Sequence, residues 1–173
     1  MASIQQNLER RLVGFHDPRQ RRGLELLLAA QMDGPVSQAL TNSTLVINGG
    51  GLTIPKTGAA DSYFVVDGSL VKVAASTAMT GLCTGFNVGA GKFGVCLFLV
   101  DAAGALTSIY SDGTAASIAA IIWPTIPTGK ACVGFIIVTY ASAFTGGTTA
   151  LDTATTVYIS PTGDFNPGLI TTL

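Results

Sequence analysis

Apolar residues recur at two different periods along this chain, and the change falls near residue 34. Ile4, Leu8, Leu12 and Phe15 follow helical spacing behind Ser3 and Gln6, which sit as in a capping box. Asp17, Pro18 and Gln20 supply a second start, with proline at the first helical position, where its missing N–H costs nothing. Leu24, Leu27, Leu28 and Met32 then form one stripe, Leu26, Ala29 and Ala30 make the other faces apolar, and Gly34-Pro35 stops the pattern. The spacing predicts helices over 3–15 and 18–32. A short helix that is apolar on nearly every side needs enclosure by its own copies or by a partner's groove.

From residue 34 onward the period shortens to that of strands. "YFVVDGSLVKVAA" (63–75) places Asp67-Gly68 between two apolar runs, the strongest short hairpin signal. "GKFGVCLFLVDAAGALTSIYSDG" (91–113) reads as strand, turn, strand, turn. "IIWPTIPTGKACVGFIIVTY" (121–140) reads as a proline-edged strand, a Pro-Thr-Gly turn and a stronger strand, and "TATTVYISPTG" (153–163) adds another. Strands about ten residues apart with turns between them predict a mainly β fold, an antiparallel β-sandwich or jelly roll behind a helical arm. The glycine-rich stretch 48–61 reads as a connector. The expected organisation is therefore an arm over 1–33, a linker over 34–62 and a β domain over 63–173.

Two strands break the usual alternation. A strand with one wet face alternates apolar and polar side chains. Here Phe93, Val95, Leu97 and Leu99 oppose Cys96, Phe98 and Val100, and Val133, Phe135 and Ile137 oppose Cys132, Ile136 and Val138. Both faces are apolar, and no helix-period segment lies between the strands to cover the second face. The expectation is a homotrimer packed around a symmetry axis, with Phe93, Val95, Leu97, Phe98, Leu99, Val133, Phe135 and Ile137 at the interface.

Composition sharpens the division. Only 11% of the 173 residues are charged, against about 25% in ordinary globular chains. All five arginines, both glutamates and the single histidine, His16, precede residue 34; beyond it stand four lysines and six aspartates. No apolar run approaches the roughly 20 residues of a membrane-spanning helix. Fewer than eight strands are legible, which argues against a membrane β-barrel, and "MASIQQNLERR" lacks the apolar core of a secretory signal. No membrane partner is expected.

Candidate chemistry is sparse. Serine or cysteine nucleophiles need a base, and His16 stands beside a proline in the charged arm. Asp67, Asp101, Asp112 and Asp164 all lie next to or near turn glycines, which accounts for them. Cys83, Cys96 and Cys132 lack metal-ligand spacing and read as buried, reduced, small apolar side chains. "GAGKFG" (89–94) lacks the spacing of a phosphate loop and runs into a strand. No catalytic residue, metal or cofactor is expected. Arg19, Arg21 and Arg22 crowd the positive end of the second predicted helix, where cations are unfavourable. With Arg10, Arg11, Leu24, Leu27 and Leu28 they are candidates for docking on an acidic protein surface. Nucleic acid is not expected, because Glu9 accompanies the first arginine pair and the β region carries no basic stripe.

The stretch "FTGGTTALDTATTVYISPTGDFNPG" (144–168), with 91–113 before it, resembles small structural proteins of tailed bacteriophages, in style most similar to capsid decoration and head-fibre proteins. The likeness covers roughly residues 63–170 and rests on glycine- and threonine-rich turns; it carries over no individual site residue. It implies a non-enzymatic virion protein made in the host cytoplasm and held on the outside of a capsid. The attachment would run through an amino-terminal segment to the major capsid protein, with a trimeric β domain projecting outward. The alternative is a receptor- or glycan-binding module of a tail fibre, with Tyr63, Tyr110, Trp123, Tyr140 and Tyr158 as candidate contacts. A third is an internal or portal-associated protein using its arginines on packaged DNA.

Overall fold

The computed structural model describes residues 37–49, 53–163 and 165. The predicted helices over 3–15 and 18–32, and with them Arg10, Arg11, Arg19, Arg21, Arg22, Leu24, Leu27 and Leu28, lie outside the described residues. The chain divides between Val36 and Ser37, close to the change in composition.

Among the described residues eleven strands follow in order: β1 Gln38–Ala39, β2 Val46–Ile47, β3 Pro55–Lys56, β4 Ser62–Val66, β5 Ser69–Val73, β6 Asn87–Val88, β7 Phe93–Asp101, β8 Leu106–Tyr110, β9 Lys130–Thr139, β10 Phe144–Thr145 and β11 Thr155–Ile159. They form four antiparallel sheets, ordered β11-β9-β7-β8, β1-β4-β5, β10-β6 and β2-β3. The fold is mainly β. Six strands have five residues or more, as the sequence signals suggest; the other five are pairs of residues that leave no periodic trace.

The hairpin signal at Asp67-Gly68 holds. Val66 pairs with Ser69, and both turn residues have positive φ, 48° and 77°, the backbone of a type I′ turn that matches strand twist. Asp101 ends β7 in a similar way: its carboxylate accepts the backbone N–H groups of Ala103 (3.0 Å) and Ala105 (2.9 Å), closing the turn into β8.

The central sheet has an apolar cluster on each face. On one side Cys96, Phe98 and Val100 of β7 and Val133, Ile136 and Val138 of β9 pack with Phe64 and Val66 of β4, Val71 and Val73 of β5, and Met79, Phe86 and Phe144. On the other, Val95, Leu97 and Leu99 with Cys132, Phe135 and Ile137 meet Ile121, Trp123, Ile126, Ile118 and Phe165. This second cover comes from an irregular stretch. A short 3-10 turn at Ile118–Ala120 precedes it, and its prolines, Pro124 and Pro127, have no N–H to give a ladder. The proline-edged strand expected at the start of 121–140 is absent for that reason; the segment serves as a lid on the sheet instead.

The interface assignment is overturned by the same observation. Val95, Leu97, Phe98, Leu99, Val133 and Phe135 are 0% exposed within one chain and Ile137 only 2%, while Phe93 is half-buried against the second cluster. None of the eight candidate interface residues presents a free apolar face. Sister subunits are not needed to cover them.

Two further corrections follow. Within the expected linker 34–62, the described residues are built into the β unit: β1 pairs with β4, Ala39 bridges Gly163, and Leu45 and Ser43 are buried. Val133 also faces away from Phe135 and Ile137. Phe98 pairs with Gly134 but Leu99 with Cys132, so Val133 is the extra residue of a β-bulge and the alternation inverts across it. Its carbonyl accepts the Ser43 hydroxyl proton (2.6 Å), and the Ser43 oxygen in turn accepts from the Ser160 hydroxyl (2.9 Å).

Candidate functional site

Two surface features stand out. The first is the outer face of the β1-β4-β5 sheet. Phe64, Val66, Val71 and Val73 point into the core, so the intervening residues point outward. Register places Tyr63 opposite Lys72, Val65 opposite both Leu70 and Gln38, and Leu40 donates its N–H to the Tyr63 carbonyl (2.9 Å). Leu70 is 70% exposed, Leu40 47% and Tyr63 37%. Cross-strand neighbours stand about 5 Å apart, so these side chains make one exposed apolar strip. Lys72 flanks it, paired with Asp61 at 3.0 Å. Asp61 also accepts the Ala75 N–H (2.9 Å). That backbone bond and the lysine hold its carboxyl below the ordinary range, while the carboxylate raises Lys72.

The second is a shallow cleft of about 340 Å³ lined by Gly91, Thr139, Tyr140, Ala141, Thr153 and Thr155. Two of its lining residues, Thr139 and Thr155, are a cross-strand pair at the ends of β9 and β11. The Gly91 N–H donates to the Tyr140 carbonyl (2.7 Å), tying the turn before β7 to the cleft wall. Threonine hydroxyls both donate and accept, which suits a polyhydroxylated ligand, although the Thr153 hydroxyl gives its proton to the Ala150 carbonyl (2.7 Å).

Elsewhere several polar groups have structural employment, while the buried Ser62 hydroxyl has no partner among the described residues. Asp101 and Asp112 cap turns, the latter through the Thr114 N–H (3.2 Å) and hydroxyl (2.8 Å). "GAGKFG" is a turn, closed by the Lys92 N–H on the Gly89 carbonyl (3.0 Å), that leads into β7. Cys83, Cys96 and Cys132 are reduced and buried. Burial pushes Cys132 from 9.0 to about 12, against a smaller pull from the Gly134 N–H. Tyr158 rises from 10.0 to about 12, chiefly through burial and then through the Asp152 carboxylate. The unfolded chain therefore loses these protons first. The contribution of these two groups to folding stability is fully present below about pH 9 and is lost as pH rises toward about 12. Thermal midpoints measured from neutral pH upward should hold level and then fall across that window; a level midpoint throughout would contradict the burial of these groups.

Of the aromatics read as possible ligand contacts, Tyr63 and Tyr110 are exposed (37% and 42%), and Tyr140 lines the cleft while also packing on the first core cluster. Trp123 instead packs edge-on against Phe135 (5.2 Å between centroids, 90°) and against Phe165 (5.9 Å), and Tyr158 packs on the first core cluster. Sequence reasoning missed Leu40, Leu70 and the threonines. The alternation in "SLVKV" could have pointed to Leu70, because Val71 and Val73 take the inward positions. The threonines of the cleft come together only through the β9–β11 register. Compared with protein-family models, with curated proteins and with solved structures, the chain matches none of them.

Proposed function

We propose that this protein is a non-enzymatic structural component of a virus particle, a capsid decoration or head-fibre protein of a tailed bacteriophage. Its arginine-rich N-terminal segment, read as a helical arm, docks on the major capsid protein, and the β unit, a sandwich-like pair of facing sheets, is displayed outside. The observation that carries this reading is the division of labour along the chain. The basic, glutamate-containing composition ends close to Ser37, where a β unit with its own two-sided core begins. Within that unit the best-placed carboxylates and hydroxyls are spent on turns and on the bulge. A trimer remains part of the proposal, but it closes through the outer strip of Leu40, Tyr63 and Leu70 rather than through β7 and β9. Display in many copies makes weak surface contacts effective.

The expected result is that the full chain co-sediments with capsids of its own particle, while a chain starting at Ser37 keeps its β circular-dichroism spectrum and stays in the supernatant. Equal co-sedimentation of both would contradict attachment through the arm. The cleft with Tyr140 and its threonines favours one second reading, a glycan-binding fibre module. Saturable binding on a glycan array that Tyr140→Ala removes would select that reading.

A further inference from the structure

We infer that the free edge of the central sheet, along β8, pairs with the same edge of a second copy and joins two four-stranded sheets across a two-fold axis. The inference is independent of the trimer proposed through the outer strip, which lies on another sheet. The β7–β8 ladder shows where the backbone groups of β8 point. Ser111 donates its N–H to the Val95 carbonyl (2.9 Å), and Asp101 donates its N–H to the Ala105 carbonyl (3.1 Å). Both pairs continue the register that sets Leu97 opposite Ile109 and Leu99 opposite Thr107. Hydrogen-bonded and non-bonded pairs alternate along an antiparallel ladder, so Thr107 and Ile109 direct their N–H and C=O groups at β7. Leu106, Ser108 and Tyr110 direct theirs away from the sheet. β8 ends the order β11-β9-β7-β8, and among the described residues no further strand pairs with it.

Sheet edges are commonly blunted by charge, by proline or by a covering segment. β8, "LTSIY", contains neither a charge nor a proline. The opposite edge of the sheet differs. Pro161 stands just beyond β11, and the Leu45 N–H is bonded there to the Ser160 hydroxyl (2.9 Å).

The occupant is a second copy because this edge is complementary to itself. With the axis at Ser108, Ser108 faces Ser108 of the second copy and Leu106 faces its Tyr110. All of these residues carry outward groups, so each facing pair exchanges both N–H···O=C bonds. A slip of one residue would set outward groups against inward ones. The same pairing gives Tyr110, 42% exposed, an aliphatic cross-strand neighbour. Charge favours the antiparallel direction. The Lys130 ammonium is held on the Thr107 hydroxyl (2.7 Å) near the start of β8, and Asp112 follows its other end. Antiparallel pairing sends the two Asp112 carboxylates to opposite ends, each toward the other copy's Lys130. Asp101 shares the Lys130 end, with its carboxylate already on the Ala103 and Ala105 N–H groups. A contact of this size is weak, and forms at high local concentration.

The test combines residue-resolved amide exchange with sedimentation, on the full-length protein, from high dilution up to about 1 mM. At high dilution the Thr107 and Ile109 amides should be protected and those of Leu106, Ser108 and Tyr110 open. At the upper end, protection of the second set should rise about tenfold or more as the sedimenting mass doubles. Ser108→Pro removes one outward N–H and leaves the β7 ladder intact, and it should abolish both changes. Ser108→Ala loses the same hydroxyl, which donates to the Leu82 carbonyl, but keeps the N–H, and it should retain them. Tyr110→Lys sets a charge on the edge and is the second blocking variant if the proline variant loses its β circular-dichroism spectrum. Leu70→Lys removes the strip contact, so the lone chain should double once in that background, and failure of the trimer reads separately. Protection of Leu106, Ser108 and Tyr110 at every concentration would overturn the inference, since the chain then covers its own edge. So would a doubling that leaves these amides open, growth past one doubling in Leu70→Lys, or a mass that stays constant throughout.

Discussion

Replacing Phe135 with alanine is expected to lower the unfolding free energy by about 3–5 kcal/mol, and the loss should not depend on protein concentration. Phe135 is 0% exposed and holds the lid: Trp123 meets it edge-on at 5.2 Å and Phe165 at 5.2 Å. Truncation removes the ring that both aromatics rest on, and the surrounding strands are too well tied by the β7 and β11 ladders to collapse into the space. Phe98→Ala, on the opposite face, should cost a similar amount for the same reason. Had β7 and β9 met sister subunits on one face, truncation there would weaken association and shift with dilution. Denaturant melts at two concentrations far apart decide between these outcomes.

Gly134→Ala is the second large effect, a loss of about 3 kcal/mol, at the upper end of what overpacking costs. A Cβ at residue 134 would stand 2.5 Å from Leu45 Cδ1 and 2.8 Å from the Ile159 carbonyl oxygen. The leucine end can shift, but the carbonyl belongs to β11 and is fixed by its pairing with Phe135. The bulge at Val133 makes the approach this close, since it bends β9 toward the segment that carries Ser43 and Leu45. Urea denaturation of the variant checks it. Wild-type stability would mean that Leu45 and β11 do not close over the bulge.

The parts of this fold that sequence made legible are those whose signals are local. Asp67-Gly68 specified its turn because few other pairs accept positive φ at both positions. The long apolar runs of β7 and β9 announced themselves as strands, and the alternation along β7 sorted its faces correctly. What was misread depends on distant partners. Glycines and threonines in 48–61 look like a connector, yet the Thr57 hydroxyl donates to the Ala74 carbonyl (2.9 Å) and the Gly58 N–H to the Ser43 carbonyl (2.8 Å). Two-residue strands have no period to detect.

The bulge at Val133 shows the same limit, because one extra residue inverts a face without changing composition. The largest error concerned the second apolar face of the central sheet. A cover was expected to be regular structure or another subunit, and the chain supplies irregular backbone instead, carrying Ile118, Ile121, Trp123 and Ile126. The outer strip and the threonine cleft were illegible for a related reason: both are assembled by register between strands, and neither contains a residue type that announces chemistry.

Amide hydrogen exchange along Val95–Val100 and Phe135–Val138, followed in the full-length protein at high and at very low concentration, tests most directly whether one chain covers both sides of its central sheet. Equal, strong protection at both concentrations is the expected outcome, since each side chain in these runs is at most 2% exposed within a single copy. Protection that disappears on dilution would show that neighbouring copies supply the cover, and would contradict the account.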